Sequence, residues 1–375
     1  MTLAELLGHR RIILCVGSGG VGKTTTAAAL AVLAARRGRR TAVVTVDPAQ
    51  RLRDALRLDA LDGKPRRVPL ADAAPLDAVL LDVKGTFDDV VRGLSSSEAQ
   101  ARRILDNRLY QNLSGSLAGT AEYMAVETVH RLAAEGGYDL VVVDTPPARH
   151  AVDFLDAPRR LVALLDSRAF AILKDPTSIL PAAGSRLAQL LLRGVIQGLE
   201  RFTGLGLVGE IGEFVGAIET ISDAFRARVA AVGALLASEA TALVLVTAPE
   251  PRVRDETRAL VDALAGVQLS VHGVIVNRAV PPSLLDGDVT APLDVPPDLA
   301  ARLEQTFTEL RTLAAREADV IAPILATARA PLLATVPLQA TAPGSLEDLI
   351  ALARHLAPEP GPRTPESAVG TEDEA

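Results

Sequence analysis

The strongest constraint on the fold is the run Gly17-Ser18-Gly19-Gly20-Val21-Gly22-Lys23-Thr24-Thr25. It follows the strand-like stretch 11–16 and leads into an alanine-rich stretch, 24–37, of helical composition. The run fits G-x-x-x-x-G-K-[ST], a pattern with a mechanical meaning when it joins a strand to a helix. Glycines let the backbone wrap a phosphate with its N–H groups pointing inward, and the following helix adds the positive end of its dipole. Lys23 can then bridge the β- and γ-phosphates of a nucleotide, and the Thr24 hydroxyl can sit on Mg²⁺. The chain has four lysines, and one falls on this position.

Beyond the loop, β-rich runs alternate with helical patterns. Strands are expected at 11–16, 41–46, 78–83, 138–144, 242–247, 272–276 and 332–336, several of them continuous Val/Ile/Leu runs. Such runs suit parallel strands covered on both faces. Helical stretches between them include 97–107, 121–135, 253–264 and 345–356. This order predicts an α/β fold, a doubly wound, mostly parallel sheet of seven or eight strands. Residues 161–239 break the rhythm with no strand-like run and read as a helical insertion, with loops at 175–176, 181–184 and 203–209. The expected sheet domain is therefore 1–160 together with 240–356. A Pro- and Asp-rich loop is expected at 281–297, and an acidic, Pro-rich disordered tail at 357–375.

Composition removes several function classes. Hydrophobic residues make up 49% of 375, enough for a large core, and the net charge of −7 argues against general binding to nucleic acid. A single cysteine, Cys15, allows no intramolecular disulfide and no site built from several cysteines of this chain. No charge-free run reaches the length of a membrane span and no signal peptide is evident, so a cytoplasmic location is expected.

Two carboxylates narrow the chemistry. Asp144 ends the run Tyr138-Asp-Leu-Val-Val-Val-Asp and precedes Thr145-Pro146-Pro147. A strand-end aspartate beside a phosphate loop is the expected ligand of Mg²⁺ or its water. Asp47, before Pro48-Ala49, ends the second long strand; it either orients a water near the γ-phosphate or simply begins the next turn.

Taken in order, GSGGVGKTT, VDPAQRLRDAL, VVVDTPPARHAVDFLDAP, LVTAPEP and VIVNR resemble the soluble ATPases of the arsenite pump and the related targeting ATPases of tail-anchored membrane proteins. These belong to the signature-lysine class of phosphate-loop proteins. The resemblance runs from Arg11 to about Leu356. It implies an ATP site formed by Gly17, Gly19, Gly20, Val21, Gly22, Lys23, Thr24 and Thr25, with Asn277 reading the adenine edge. Pro337, in Val336-Pro337-Leu338, would cover the base from the other side. Lys23 and Asp47 would be the catalytic residues, and Thr24, Asp47 and Asp144 the Mg²⁺ set. Residues 145–150 would form a switch containing His150. The resemblance also implies a dimer with nucleotide at its interface, and a helical insertion whose hydrophobic groove opens and closes with ATP state.

Two departures stand out. The family's signature lysine is replaced by Ser18, and the glycine before the switch histidine by Arg149. Either Arg149 partly replaces that lysine, or the chain pairs with a related subunit that carries one. Relatives that bind metalloid or zinc use clustered cysteines, which this chain lacks, and its five histidines are dispersed, so no transition-metal site is expected. The apolar stretch 187–202 suits either an internally packed helical subdomain or a groove for a client helix or membrane partner. The leading expectation is a dimeric, Mg-ATP-hydrolysing switch acting on a hydrophobic or membrane-associated client, itself peripheral to the membrane. A weakly catalytic subunit of a heterodimer is the alternative. A partition-type positioning ATPase fits the net charge less well.

Overall fold

The computed structural model describes residues 2–47, 51–107, 110–111, 120–166, 207–280, 295–339, 341 and 343–357. The strands are β1 Ile12–Val16, β2 Thr41–Thr45, β3 Arg66–Arg67, β4 Leu76–Leu80, β5 Leu140–Asp144, β6 Thr241–Thr247, β7 Gly273–Ala279 and β8 Leu332–Pro337. They form one sheet in the order β3-β4-β2-β5-β1-β6-β7-β8. Every neighbouring pair is parallel except β3 with β4. The α/β architecture expected from the apolar runs is therefore present. β3 adds a strand of two exposed residues, too short to carry a hydrophobic pattern. The fourth strand sits earlier than expected, at Leu76–Leu80, because Asp82 caps a helix, α4 Val83–Leu94, by accepting from the Gly85 N–H.

The remaining described helices are α1 Leu3–His9, α2 Lys23–Arg36, α3 Arg51–Leu56, α5 Glu98–Leu105, α6 Thr120–Ala134, α7 Ala148–Leu165, α8 Leu207–Ala237, α9 Pro251–Gly266, α10 Pro297–Ala328 and α11 Leu346–Leu356. Strand residues alternate between two cores. Ile13, Cys15, Val43 and Ile275 face the layer of α1, α2, α3 and α11. Ile12, Leu14, Val44 and Val276 face α6, α7, α8, α9 and α10. The central strands are buried on both sides, which is why they read as unbroken apolar runs.

The expected loops at 175–176 and 181–184, the apolar stretch 187–202, residues 281–294 of the expected loop and the tail beyond 357 lie outside the described residues. The loop expected at 203–209 ends sooner, since α8 begins at Leu207 and carries Gly209 within its first turn. α7 and α8 flank the undescribed part of the expected insertion. Both pack into the second core, through Phe154 and Leu155 on α7 and Val229, Val232 and Leu236 on α8.

Candidate nucleotide-binding site

All parallel strands end on the same edge of the sheet, and the predicted site residues lie along it, as ligand sites of open α/β sheets do. The chain leaves β1 at Val16, paired with Leu245 of β6. A Cβ on Gly17 would stand 2.1 Å from the Val246 carbonyl oxygen, so only glycine lets the chain turn out of the sheet here. The loop closes at Gly22, the N-cap of α2, with φ +90° and no room for a side chain: a Cβ there would meet Asn277 Nδ2 at 2.2 Å. α2 has neither a capping side chain nor an acid in its first turn. Its leading N–H groups are thus left for an anion.

Lys23 is 8% exposed. Its Nζ donates to the carbonyls of Gly17 at 3.0 Å and Ser18 at 2.9 Å. These acceptors orient the ammonium along the loop without neutralising it. Burial pushes the Lys23 pKa down, and the nearby Asp144 opposes that shift.

Asp144, the last residue of β5, is 2% exposed. Its Oδ2 accepts from Thr24 Oγ1 at 2.7 Å and from Thr45 Oγ1 at 3.0 Å. Burial raises its pKa, while the two hydroxyls and Lys23 pull the other way. A carboxylate and two hydroxyls are hard oxygen donors, the set that suits Mg²⁺ with retained waters. With the unneutralised ammonium and the open helix end, the residues present fit a magnesium nucleotide. Among the described residues, no group of three or more His, Cys, Asp and Glu converges as a metal cluster.

The other predicted residues lie at the same edge. Asp47 is two residues beyond β2; its N–H donates to Thr45 Oγ1 at 3.2 Å, and its carboxylate faces Arg51 at 3.8 Å. Its charge reaches both Lys23 and Asp144. Asn277 is 7% exposed and donates from Nδ2 to the Val21 carbonyl at 2.9 Å, so its amide is spent partly on the loop. Val336 pairs with Asn277 across β7 and β8, and Pro337 follows it at the end of β8. In the expected switch segment, Thr145 Oγ1 donates to the Cys15 carbonyl at 2.7 Å. Pro147, Ala148 and His150 line a cleft of about 530 Å³ with Gly19 and with Glu256, Ala259 and Leu260 of α9. His150 is well exposed, 4.0 Å from Asp153. The side chain of Arg149 lies outside the described residues. Ser18 is 1% exposed, and its hydroxyl has no hydrogen-bond partner among the described residues.

Two contributors were given no role by the sequence. Thr45 joins the carboxylate only because β2 and β5 pair in register, Thr45 opposite Asp144. Arg278 links β7 to the start of α9, its guanidinium donating to the N-cap residue Glu250 at 2.8 Å.

Residues 10–309 match the anion-transporting ATPase family. The chain is 29% identical over 288 residues to ATPase GET3 of Podospora anserina, covering 75% of this chain and 77% of that one. It is 26% identical over 293 residues to ATPase ASNA1 homolog 1 of Paramecium tetraurelia, covering 75% and 79%. An uncharacterized protein of Streptomyces coelicolor is 30% identical over 272 residues, covering 72% and 63%. The chain belongs to the anion-transporting ATPase family, and it is an ATPase.

Proposed function

We propose that the chain binds ATP with Mg²⁺ at residues 17–25, hydrolyses the γ-phosphate bond, and works as a dimer whose nucleotide state is coupled to a hydrophobic or membrane-associated client. One observation carries the catalytic reading: the Thr24 hydroxyl meets the Asp144 carboxylate at 2.7 Å next to an ammonium that, among the described residues, bonds only backbone carbonyls. Thr24 and Asp144 would hold Mg²⁺, with Asp47 beside them, and the ion would offset phosphate charge as the terminal bond breaks. Lys23 stabilises charge on the β- and γ-phosphates. Asp47 orients the attacking water, for which a partly exposed carboxylate at the edge of the site is suited. Asn277 and Pro337 bracket the base, and the loop N–H groups of Gly17, Gly19, Gly20, Val21, Gly22, Lys23, Thr24 and Thr25 cradle the phosphates.

The client would meet the helical insertion, residues 161–239, and the protein would act in the cytoplasm and at the membrane periphery. Among the described residues no helix is long and apolar enough to cross a membrane. A heterodimer is the second reading, and Ser18 favours it. The side chain at this position is uncharged and packed inward, so nothing from it reaches across an interface to a partner's phosphates.

The test is steady-state ATP hydrolysis by the purified chain, with Lys23→Ala as control. Turnover that depends on Lys23 supports a self-sufficient enzyme. Tight ATP binding with turnover at the control level supports the heterodimer. Failure to bind ATP at all would sink both.

A further inference from the structure

Strand β7 does not end regularly. Asn277 pairs with Val336 of β8 and Ala279 with Pro337, so two steps along β7 match one along β8. The extra residue is Arg278, whose φ of +60° is left-handed and uncommon for a residue with a side chain. The slip reverses the alternation of the strand. Ile275 packs in the core on the α2 side, and Val274 and Val276 in the opposite one. A regular strand would return residue 279 to the α2 side, yet Ala279 packs with Val274 and Val276.

The consequence falls on Asn277, the last residue before the slip. The Arg278 N–H donates to Asn277 Oδ1 at 3.0 Å. With the oxygen end of the amide held, Nδ2 faces the phosphate loop and donates to the Val21 carbonyl at 2.9 Å. The next residue of that loop, Gly22, is the one with no space for a Cβ because Nδ2 is there. The Arg278 side chain contributes less. Its contact with Glu250 joins groups 38% and 33% exposed, and ion pairs of that exposure are weak.

We propose that Arg278 is a positioning residue acting through its backbone: the left-handed turn at 278 aims the Asn277 amide at Val21 and holds the phosphate loop in its nucleotide-ready shape. The functional meaning rests on the loop being the ATP site; the effect on loop order does not.

The test is a series at one position: Arg278→Gly, Arg278→Asn, Arg278→Ala and Arg278→Val. All four lose the Glu250 contact, but they differ in how readily they turn left-handed, from Gly and Asn through Ala to the β-branched Val. Amide hydrogen exchange of residues 17–25 is followed in nucleotide-free protein, and the dissociation constant of a fluorescent ATP analogue is measured. Gly and Asn should stay within about twofold of the unsubstituted protein, Ala should be intermediate, and Val should exchange and release nucleotide at least about tenfold more readily. Asn277→Ala should loosen the same loop amides as Val does. Two results overturn the proposal: Arg278→Val behaving like the parent, or Arg278→Gly being as impaired as Val, which would give the role to the side chain. If Arg278→Val does not fold, the Asn and Ala variants decide, and equal loop exchange in those two overturns it. A parent chain that shows this exchange pattern but binds no ATP refutes the nucleotide reading and leaves the loop-ordering role standing.

Discussion

At the scale of single residues, the buried ionisable groups set a pH signature that hydrolysis alone would hide. The folded pKa of Asp144 lies above its ordinary 3.8 because the carboxyl is buried. Between those two values the folded chain holds one proton more than the unfolded chain, so stability falls as pH rises through the window, by at most about 1.4 kcal/mol per pH unit. Asp144→Asn should remove that slope. Above the window, the nucleotide-free variant should be at least as stable as the parent, while hydrolysis is lost. Urea midpoints taken from acid to neutral pH check it; an unchanged slope would show that another group titrates there. Lys23 has the opposite sign. Its pKa is lowered, so the unfolded chain holds the extra proton between the lowered value and 10.5, and stability rises with pH across that range. At Gly22, Gly22→Ala should cost about 1–2 kcal/mol for the left-handed backbone alone. It should also push the Asn277 amide away, since the added carbon would lie 2.2 Å from Nδ2. Weakened nucleotide binding beyond the loss in melting temperature would register that second effect.

At the scale of elements, α8 is fastened to α6 by a buried charge. Arg228 of α8 donates to Glu127 of α6 and to Glu135 just beyond its end, both at 2.8 Å. Glu127 is 1% exposed and also accepts from the Tyr123 hydroxyl at 3.0 Å. The Phe225 ring meets the Tyr123 ring edge-on, with centroids 5.8 Å apart. α8 thus ties part of the expected insertion to α6, which feeds directly into β5 and Asp144. Arg228→Met should cost about 3–5 kcal/mol, because it leaves the Glu127 carboxylate buried without its cation. Adding Glu127→Gln should recover most of that loss. A double-mutant cycle in urea measures the coupling, and additive losses would mean the pair does not hold the two helices together. The limits of sequence reading are visible among the same elements. β5 and β6 were legible because residues 140–143 and 242–246 are apolar without interruption. The start of α8 was not, because glycines at 204, 206 and 209 read as a loop, whereas a long helix tolerates an isolated glycine.

For the whole molecule, nucleotide binding and folding should be linked. A ligand that binds only the folded chain adds about 2.7 kcal/mol at a hundredfold excess over its dissociation constant. For a chain of this length that corresponds to a rise of roughly 3–5 °C in melting temperature. Mg-ATP should give that rise with the parent and not with Lys23→Ala; an equal rise in both would place the nucleotide away from the loop. Sedimentation at several concentrations, with and without Mg-ATP, would test the proposed dimer.

Local chemistry was sufficient for the glycine-rich turn between β1 and α2 and for the layered sheet. Glycines that admit a close backbone, a lysine and threonine at fixed spacing, and apolar strands bounded by helical patterns are all properties of short stretches of chain. The arrangement of the candidate site needed the tertiary structure. Thr45 reaches Asp144 across 99 residues of sequence through strand register. Asn277 reaches Val21 across 256 residues, turned by a one-residue slip at Arg278. Register and bulges arise from pairing between strands that are distant in sequence. A side chain's neighbours there depend on which strand lies beside it and on which residue stands opposite, and neither is written in the local pattern.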